Sequence, residues 1–171
     1  MKQVVRLENA KQPKAAGEKK PYRLLIASNK RAFHDYLIED KIEAGIELRG
    51  SEVKSLRTRG VSFADCYARI YENECWLIGL QLNTYDKTSV QVPDPVRRRK
   101  LLLNRREIDK LRGKTEMSGR TIVPLEIYFK GPWAKVLLGV GKGKTHGDKR
   151  SALKDAMVKR DIDRVLRAAR K

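Results

Sequence analysis

The sequence predicts a mainly β fold, a small closed barrel of five or more antiparallel strands with two or three short helices and a basic C-terminal tail. Short segments of alternating apolar and polar residues recur along the middle of the chain, separated by glycine, proline or asparagine. Such short, punctuated strands favour a closed barrel over an open parallel sheet. A length of 171 residues with 40% hydrophobic residues suits one modest core, and no apolar run is long enough for a membrane span.

The first predicted strand covers residues 36–48, where apolar residues alternate with charged ones. Gly45 inside this segment indicates a bulge, a bend or a close approach of another chain segment. Gly50 ends the strand, and Ser51 is predicted to cap a short helix over 52–57.

A hairpin is predicted from residues 64–72 and 75–82, with the loop at 73–74. This register keeps Cys66 and Cys75 about 20 Å apart along the ladder at ~3.4 Å per residue, too far for a disulfide. We therefore expect both thiols to be free.

A long connection over 83–99 leads to a second helix with strong start signals. Asn104 is predicted as the N-cap, Glu107 supplies the matching carboxylate of a capping box, and Gly113 marks the end.

Two more strands, 121–130 and 133–140, turn at residues 131–132, and Gly141 and Gly143 end the pattern. A helix between the third and fourth strands matches the plan of an OB fold.

The positive charge lies mainly at the two ends of the chain. Of the net +18, residues 1–30 carry +6 and residues 142–171 carry +7. The sequence thus predicts a mobile basic N-terminal arm over 1–27, a body over 28–141 and a basic tail over 142–171. Basic arms around a nearly balanced body favour a polyanionic partner, and the pattern favours nucleic acid over a membrane. The tail has helical apolar spacing and the potential to become helical on a partner.

Enzyme and cofactor signals are weak. Residues 139–145 resemble a phosphate-binding loop, but Leu138 stands where that motif needs glycine, and no parallel βαβ unit surrounds it. Two histidines and two cysteines leave no room for a typical zinc site. The sequence predicts no enzyme, no metal site and no cofactor. With no export signal, we expect a cytoplasmic protein, and we expect a monomer.

Several motifs, in order along residues 28–160, together resemble the bacterial SsrA-binding protein (small protein B) family. They are Asn29-Lys30-Arg31-Ala32, His34-Asp35-Tyr36, Glu43-Ala44-Gly45-Ile46, Glu52-Val53-Lys54-Ser55-Leu56-Arg57, Arg99-Lys100-Leu101-Leu102-Leu103, Gly141-Lys142-Gly143-Lys144 and Asp148-Lys149-Arg150.

The resemblance implies an OB-fold RNA-binding adaptor in trans-translation. Such a protein binds the tRNA-like domain of transfer-messenger RNA (SsrA) and delivers it to stalled ribosomes. Its body replaces the missing anticodon arm near the decoding centre, and its tail enters the empty mRNA channel. The alternative left by charge and fold is a structural ribosomal or other OB-fold translation protein. Only the adaptor should select one structured RNA.

The resemblance also implies the binding residues. Asn29, Glu43 and Leu102 match positions that hold the tRNA-like domain. The cationic and histidine positions of the same motifs are added as RNA contacts, namely Lys30, Arg31, His34, Lys100, Lys142 and Lys144. Asp148, Lys149 and Arg150 match the ribosome-binding tail.

Two of these residues have a plain structural alternative. Glu43 would suit a solvated strand position, and Leu102 would suit the core. One departure concerns the tail, since Gly147 replaces the usual histidine or tyrosine before Asp148 and His146 lies one place earlier.

Overall fold

A computed structural model of the chain describes residues 23–58, 60–83, 94–116, 119–145 and 147–148, together with positions 157, 160, 162 and 164–166. Within them the strands are β1 (Arg23–Ser28), β2 (Tyr36–Ile46), β3 (Val61–Ser62), β4 (Tyr67–Tyr71), β5 (Glu74–Ile78), β6 (Gln81–Leu82), β7 (Arg99–Leu102), β8 (Arg120–Lys130) and β9 (Trp133–Gly143). The helices are α1 (Lys30–Asp35), α2 (Gly50–Arg57) and α3 (Arg105–Thr115).

The main sheet closes on itself. Strands β8, β4, β5, β7, β2 and β9 pair in that order, and β9 pairs again with β8, so that six antiparallel strands form a ring. Strand β1 is added to β8 outside the ring, and β3 pairs with β6 as a separate short ladder. The predicted mainly β fold with a closed antiparallel arrangement is confirmed.

Aliphatic side chains from the strands fill the interior of the ring, among them Ala44, Leu77, Leu101, Ile122 and Val136. In β2 the even-numbered residues from Ile42 to Ile46 are buried, as the alternation predicts. Side chains on the opposite parity of each strand therefore point to the outside of the ring.

Both predicted helices are present, with corrections at their ends. Helix α2 begins at Gly50, and its N-cap is Arg49 rather than Ser51. The Glu52 carboxylate accepts a hydrogen bond from the Arg49 backbone amide at 2.6 Å, which moves the cap two residues earlier than predicted. In α3 the predicted Asn104 cap is confirmed, but the predicted end at Gly113 is wrong: Gly113 keeps a right-handed backbone, and the helix continues to Thr115.

The hairpin of β4 and β5 turns one residue earlier than predicted. Glu72 and Asn73 form the loop, and both have positive φ angles, 45° and 66°. Left-handed residues at both central positions match the twist of the flanking strands, which explains why this register wins. The predicted pairing of Cys66 with Gln81 is therefore wrong.

The cysteines remain free, as predicted. Cys66 and Cys75 are both buried, and burial raises the pKa of the first thiol to about 12 and of the second to about 11. Both thiols are thus protonated at neutral pH and behave as small apolar side chains.

Strand β9 is longer than predicted. It runs through Gly141 to Gly143, both of which the sequence analysis assigned to a break. A Cβ atom on Gly141 would lie 2.5 Å from the Leu37 carbonyl oxygen. Glycine here permits the close approach of β2 rather than ending the strand.

Several elements were not predicted: β1, α1, the short β3–β6 ladder and β7. Strand β1 places residues 23–27 in the sheet, within the range assigned to the N-terminal arm, and residues 1–22 lie outside the described part. Strand β7 sits in the basic run that the sequence analysis treated as a connection.

A buried ionic cluster fastens β7 to α2. The Arg99 side chain is fully buried, and its Nε donates to a Glu52 oxygen at 2.9 Å while Nη1 donates to the Leu80 carbonyl at 2.6 Å. Arg97 donates two more bonds to the same carboxylate, at 2.9 and 2.6 Å. Burial opposes ionisation of Glu52, but these bonds outweigh it and hold the pKa of the carboxyl below its usual value. We call Glu52, Arg97 and Arg99 the buried clasp.

From Gly147 onwards the described residues of the tail are helical and do not join the core. Met157, Ile162, Val165 and Leu166 are all exposed. The apolar stripe of the tail is thus left uncovered at these positions.

Candidate nucleic-acid interface

Helix α1 is fixed on the outside of the ring by its cap and one apolar contact. The Asn29 side-chain oxygen accepts a bond from the Ala32 amide at 3.1 Å, and its Nδ2 donates to the Pro124 carbonyl at 3.0 Å. Ala32 is buried against Val123 and Leu125 of β8. Asn29, predicted as an RNA contact, therefore also has a structural role.

The exposed side of α1 carries Lys30, Arg31 and His34, and Lys144, which follows the end of β9, lies beside it. The Lys144 amide donates to the Asp35 carbonyl at 2.8 Å, and its Nζ donates to the Phe33 carbonyl at 3.1 Å. These four predicted contacts form one group, which we call the α1 cluster. Lys142 is not part of it, because it pairs with Leu37, on the side of β2 opposite to Tyr36 and Ile38, which pack with Ala32 of α1.

Asp35 orients two members of the α1 cluster. Its carboxylate accepts from Arg31 Nε at 3.3 Å and lies 2.9 Å from His34 Nδ1. The guanidinium of Arg31 and the imidazole of His34 remain open to a ligand, since both residues are exposed.

Glu43 lies on the outer side of β2 in a basic and hydrogen-bonding environment. The Tyr128 hydroxyl donates to its Oε2, and Lys130 and Lys135 reach its Oε1 at 3.3 and 3.6 Å. The bond from Tyr128, with smaller help from Lys130, lowers the pKa of Glu43. Its side chain keeps 35% exposure, so Glu43 is an oriented, ionised acceptor rather than a freely solvated residue.

Burial of Tyr128 and its bond to Glu43 together raise the pKa of the phenol to about 12. The hydroxyl therefore stays protonated at neutral pH and remains a donor to the carboxylate.

Leu102 is on the outside of the ring, so the alternative that it packs in the core is wrong. Its exposure is 55%, whereas its neighbour Leu101 is buried. It pairs with Gly45 of β2, and a Cβ on that glycine would lie 3.1 Å from the Leu102 Cβ. Of the possibilities that the sequence left open for Gly45, a close approach is the one observed.

Lys100 shares this side of β7 and forms an ion pair with Glu74. A groove of about 810 Å³ contains Lys100, Leu102 and Glu43 together with Lys41 and Lys135. The structure thus brings three more predicted body contacts to one surface.

Lys41 links this groove to α1, because its Nζ lies 5.6 Å from the centre of the Phe33 ring. The outer sides of β9, β2 and β7 together with α1 therefore form one continuous surface. We call it the outer face. Eight of the nine body residues predicted from the sequence lie on it or at its edge, and Lys142 does not.

The tail motif is only partly described. Asp148 accepts bonds from the Thr145 amide at 3.1 Å and hydroxyl at 2.7 Å, and these bonds lower the pKa of its carboxyl. Lys149, Arg150 and His146 lie outside the described residues.

The sequence analysis missed several side chains of the outer face: Lys41, Tyr128, Lys130 and Lys135. The alternation of side chains along each strand is the signal that could have placed them on the same side as Glu43. Tyr128 pairs with Lys135, and Glu43 pairs with Leu137 two residues along β9, so all of them point the same way.

Among the described residues no group of three or more histidine, cysteine, aspartate or glutamate side chains is placed to hold a metal ion. In the same part of the chain, no helix has the length and apolar character that crossing a membrane requires.

Comparison with known proteins gives a consistent result. The family described as SmpB protein matches residues 26–168. The chain is 46% identical over 159 residues to an SsrA-binding protein of Bacillus cereus (strain G9842), covering 93% of this chain and 99% of that one. It is 51% identical over 144 residues to an SsrA-binding protein of Oceanobacillus iheyensis, covering 84% and 93%.

A solved structure described as "tmRNA-SmpB: a journey to the center of the bacterial ribosome" contains a similar chain. The TM-score is 0.61 at 46% sequence identity, and the match covers 74% of this chain and 93% of that one.

Proposed function

Because the chain belongs to the SmpB protein family, we propose that it binds transfer-messenger RNA (SsrA) through the outer face and delivers it to stalled ribosomes for trans-translation. One observation carries the proposal. The matched residues Asn29, Glu43 and Leu102 come from three separate segments and lie on one basic surface.

The outer face offers the chemistry that a folded RNA with unpaired nucleotides needs. The α1 cluster supplies cations for phosphates, which position the RNA without reading its sequence. The ionised Glu43 carboxylate can accept hydrogen bonds from a base amino group or a 2′-hydroxyl. Leu102 gives an apolar contact beside it, on which an unstacked base can rest.

The tail is the proposed ribosome-binding part. Its apolar side chains are exposed where described, and residues 142–171 carry a net +7. This combination suits a channel lined with rRNA phosphate. Contacts with the channel would offset the conformational entropy that the tail loses when it becomes ordered. The peptide chemistry would remain the ribosome's, so this chain acts as an adaptor rather than an enzyme, in the cytoplasm where ribosomes translate.

Two measurements test RNA binding. RNA that co-purifies with the tagged protein should be enriched in SsrA RNA, whereas stoichiometric ribosomal subunits without it would favour a structural ribosomal protein. Affinity for the isolated tRNA-like domain should fall steeply with salt, by about 0.7–0.9 in log K per log salt for each phosphate contact. A flat salt titration would contradict the proposal.

Truncation tests the division between body and tail. Cutting after Gly143 removes no strand, since β9 ends there. We expect stability to change little and RNA binding to be largely retained, whereas tagging of a stalled nascent chain in a reconstituted system should be lost.

A second truncation after Gly147 serves as the control. It retains Lys144 and its two bonds to α1, and should therefore bind RNA slightly more tightly than the shorter chain. Unimpaired tagging by either truncated chain would refute the role of the tail.

A further inference from the structure

The tip of the β8–β9 hairpin presents a large aromatic side chain to solvent. Trp133 follows the turn at residues 131–132 and is 70% exposed, the highest value among the exposed large hydrophobic side chains of the described residues. Tryptophan is highly buried on average, and its flat apolar ring is the type of group that interfaces use.

Strand register places Trp133 on the same side of the sheet as Glu43. Trp133 pairs with Lys130, and Lys135 pairs with Tyr128 two residues further along. Glu43 pairs with Leu137, so about 14 Å separates the levels of Trp133 and Glu43 along β9 at ~3.4 Å per residue. The hairpin tip thus extends the outer face rather than forming a separate surface.

The surroundings of the indole are rich in cations. Arg23 of β1 pairs with Lys130, and its guanidinium lies 4.0 Å from the centre of the Tyr128 ring. Lys130 turns its ammonium towards Glu43 at 3.3 Å. Arg23 is paired with the Glu126 carboxylate and Lys130 with Glu43, but their side chains keep 50% and 42% exposure, so both can still reach a ligand.

We propose that Trp133 stacks on an unpaired base of the bound RNA, while Lys130 and Arg23 contact the adjoining backbone phosphates. The inference rests on the proposed function and assigns it a further contact at the hairpin tip. An exposed indole whose cross-strand neighbour is Lys130, with Arg23 one strand further on, favours RNA over an apolar protein partner, because a nucleotide offers a π face and a negative charge together.

Stacking requires the aromatic face and not only apolar area, and this requirement defines the variants. Replacing Trp133 by Leu keeps apolar area and removes the π face, and should raise the Kd for the tRNA-like domain about tenfold. Trp133→Phe keeps a ring and should raise it by a much smaller factor. Tyr71→Leu is the matched control, since Tyr71 is also an exposed strand aromatic but lies on β4.

Intrinsic fluorescence gives a direct second readout. The chain has two tryptophans, and Trp76→Phe leaves Trp133 as the sole reporter. Titration of this variant with the tRNA-like domain should quench the emission with the same midpoint as binding. The slope of log Kd against log salt should be unchanged in Trp133→Leu and smaller in Lys130→Ala, which loses a phosphate contact.

The outcomes separate the inference from the proposed function. If the natural protein does not bind the tRNA-like domain, the proposed function fails. If it binds normally and Trp133→Leu binds equally well, or Trp133 emission does not respond, only the stacking proposal is overturned. Emission already shifted to the blue before RNA is added would show that another part of the chain covers the indole, and would also overturn it.

Discussion

Two glutamates show how one ion-pair chemistry serves opposite purposes in this molecule. Glu52 is 3% exposed and lies in the buried clasp between two arginines. Glu43 lies on the outer face, where its lysine partners leave it 35% exposed. Both carboxyls have lowered pKa values, but only Glu43 can exchange partners with a ligand at low desolvation cost. The buried carboxylate fixes the fold, and the half-buried one is left available for recognition.

The largest expected effect is on the buried side of this comparison. Glu52→Gln leaves Arg99 buried without its counter-ion, so the free energy of unfolding should fall by about 3–5 kcal/mol. Urea denaturation measures this loss in the free energy of unfolding. Glu39→Gln, which breaks the more exposed pair with Arg120, should lower the free energy of unfolding far less, because water screens that pair. Equal losses in the two variants would remove the distinction between the clasp and surface pairs.

The next effect concerns recognition. Glu43→Ala should weaken binding to the tRNA-like domain roughly tenfold or more, because a charged acceptor is lost, with little change in melting temperature. Glu39→Ala makes the same change in net charge on the same strand and should bind at least as tightly as the natural protein. Normal binding by Glu43→Ala would show that Glu43 serves only its lysine and tyrosine partners.

Asn29 serves both the stability of the fold and the proposed recognition of RNA, and replacing it should lower stability less than replacing Glu52. Asn29→Ala removes the α1 cap and should lower the free energy of unfolding by about 1 kcal/mol. Asn29→Ser restores the cap acceptor but not the amide donors. If RNA binding stays weak in Asn29→Ser while its stability recovers, the amide contacts the RNA. If binding recovers with stability, the role of Asn29 is to hold α1.

The smallest expected effect is acid sensitivity from Glu43. Its folded pKa lies below the ordinary value of 4.5, so its stabilising contribution is present above that pH and is lost as pH falls through the folded pKa. Glu43→Gln should therefore lose slightly less stability between about pH 5 and pH 3 than the natural protein. Thermal melting across this range measures the difference, and a steeper loss in the variant would contradict the sign.

Much of the candidate site was predictable from a family resemblance rather than from any geometry that the sequence implied. The motifs supplied Glu43, Leu102 and the cations of α1 through a family resemblance. Residue type and pattern alone allowed Glu43 to be a solvated strand residue and Leu102 to be a core residue. Tyr128, Lys130, Lys135 and Trp133 carry no local signal of their own, since their position depends on which strands pair.

The sequence by itself determined the elements whose causes are local. Alternation fixed β2, the Asn104–Glu107 capping box fixed the start of α3, and the charge of the two ends indicated a polyanionic partner. These features depend on neighbours within a few residues, and they hold whatever the rest of the chain does.

Only the tertiary structure decided the rest. Strand β7 forms from a basic run because Arg99 forms a buried ion pair with Glu52, 47 positions earlier in the chain. With Arg99 pointing inward, Leu102 points outward and lies beside Gly45. Gly141 continues β9 because β2 crosses close to it. In each case the partner is distant in sequence, and a distant partner can supply desolvation, counter-charge or space that no local pattern reveals.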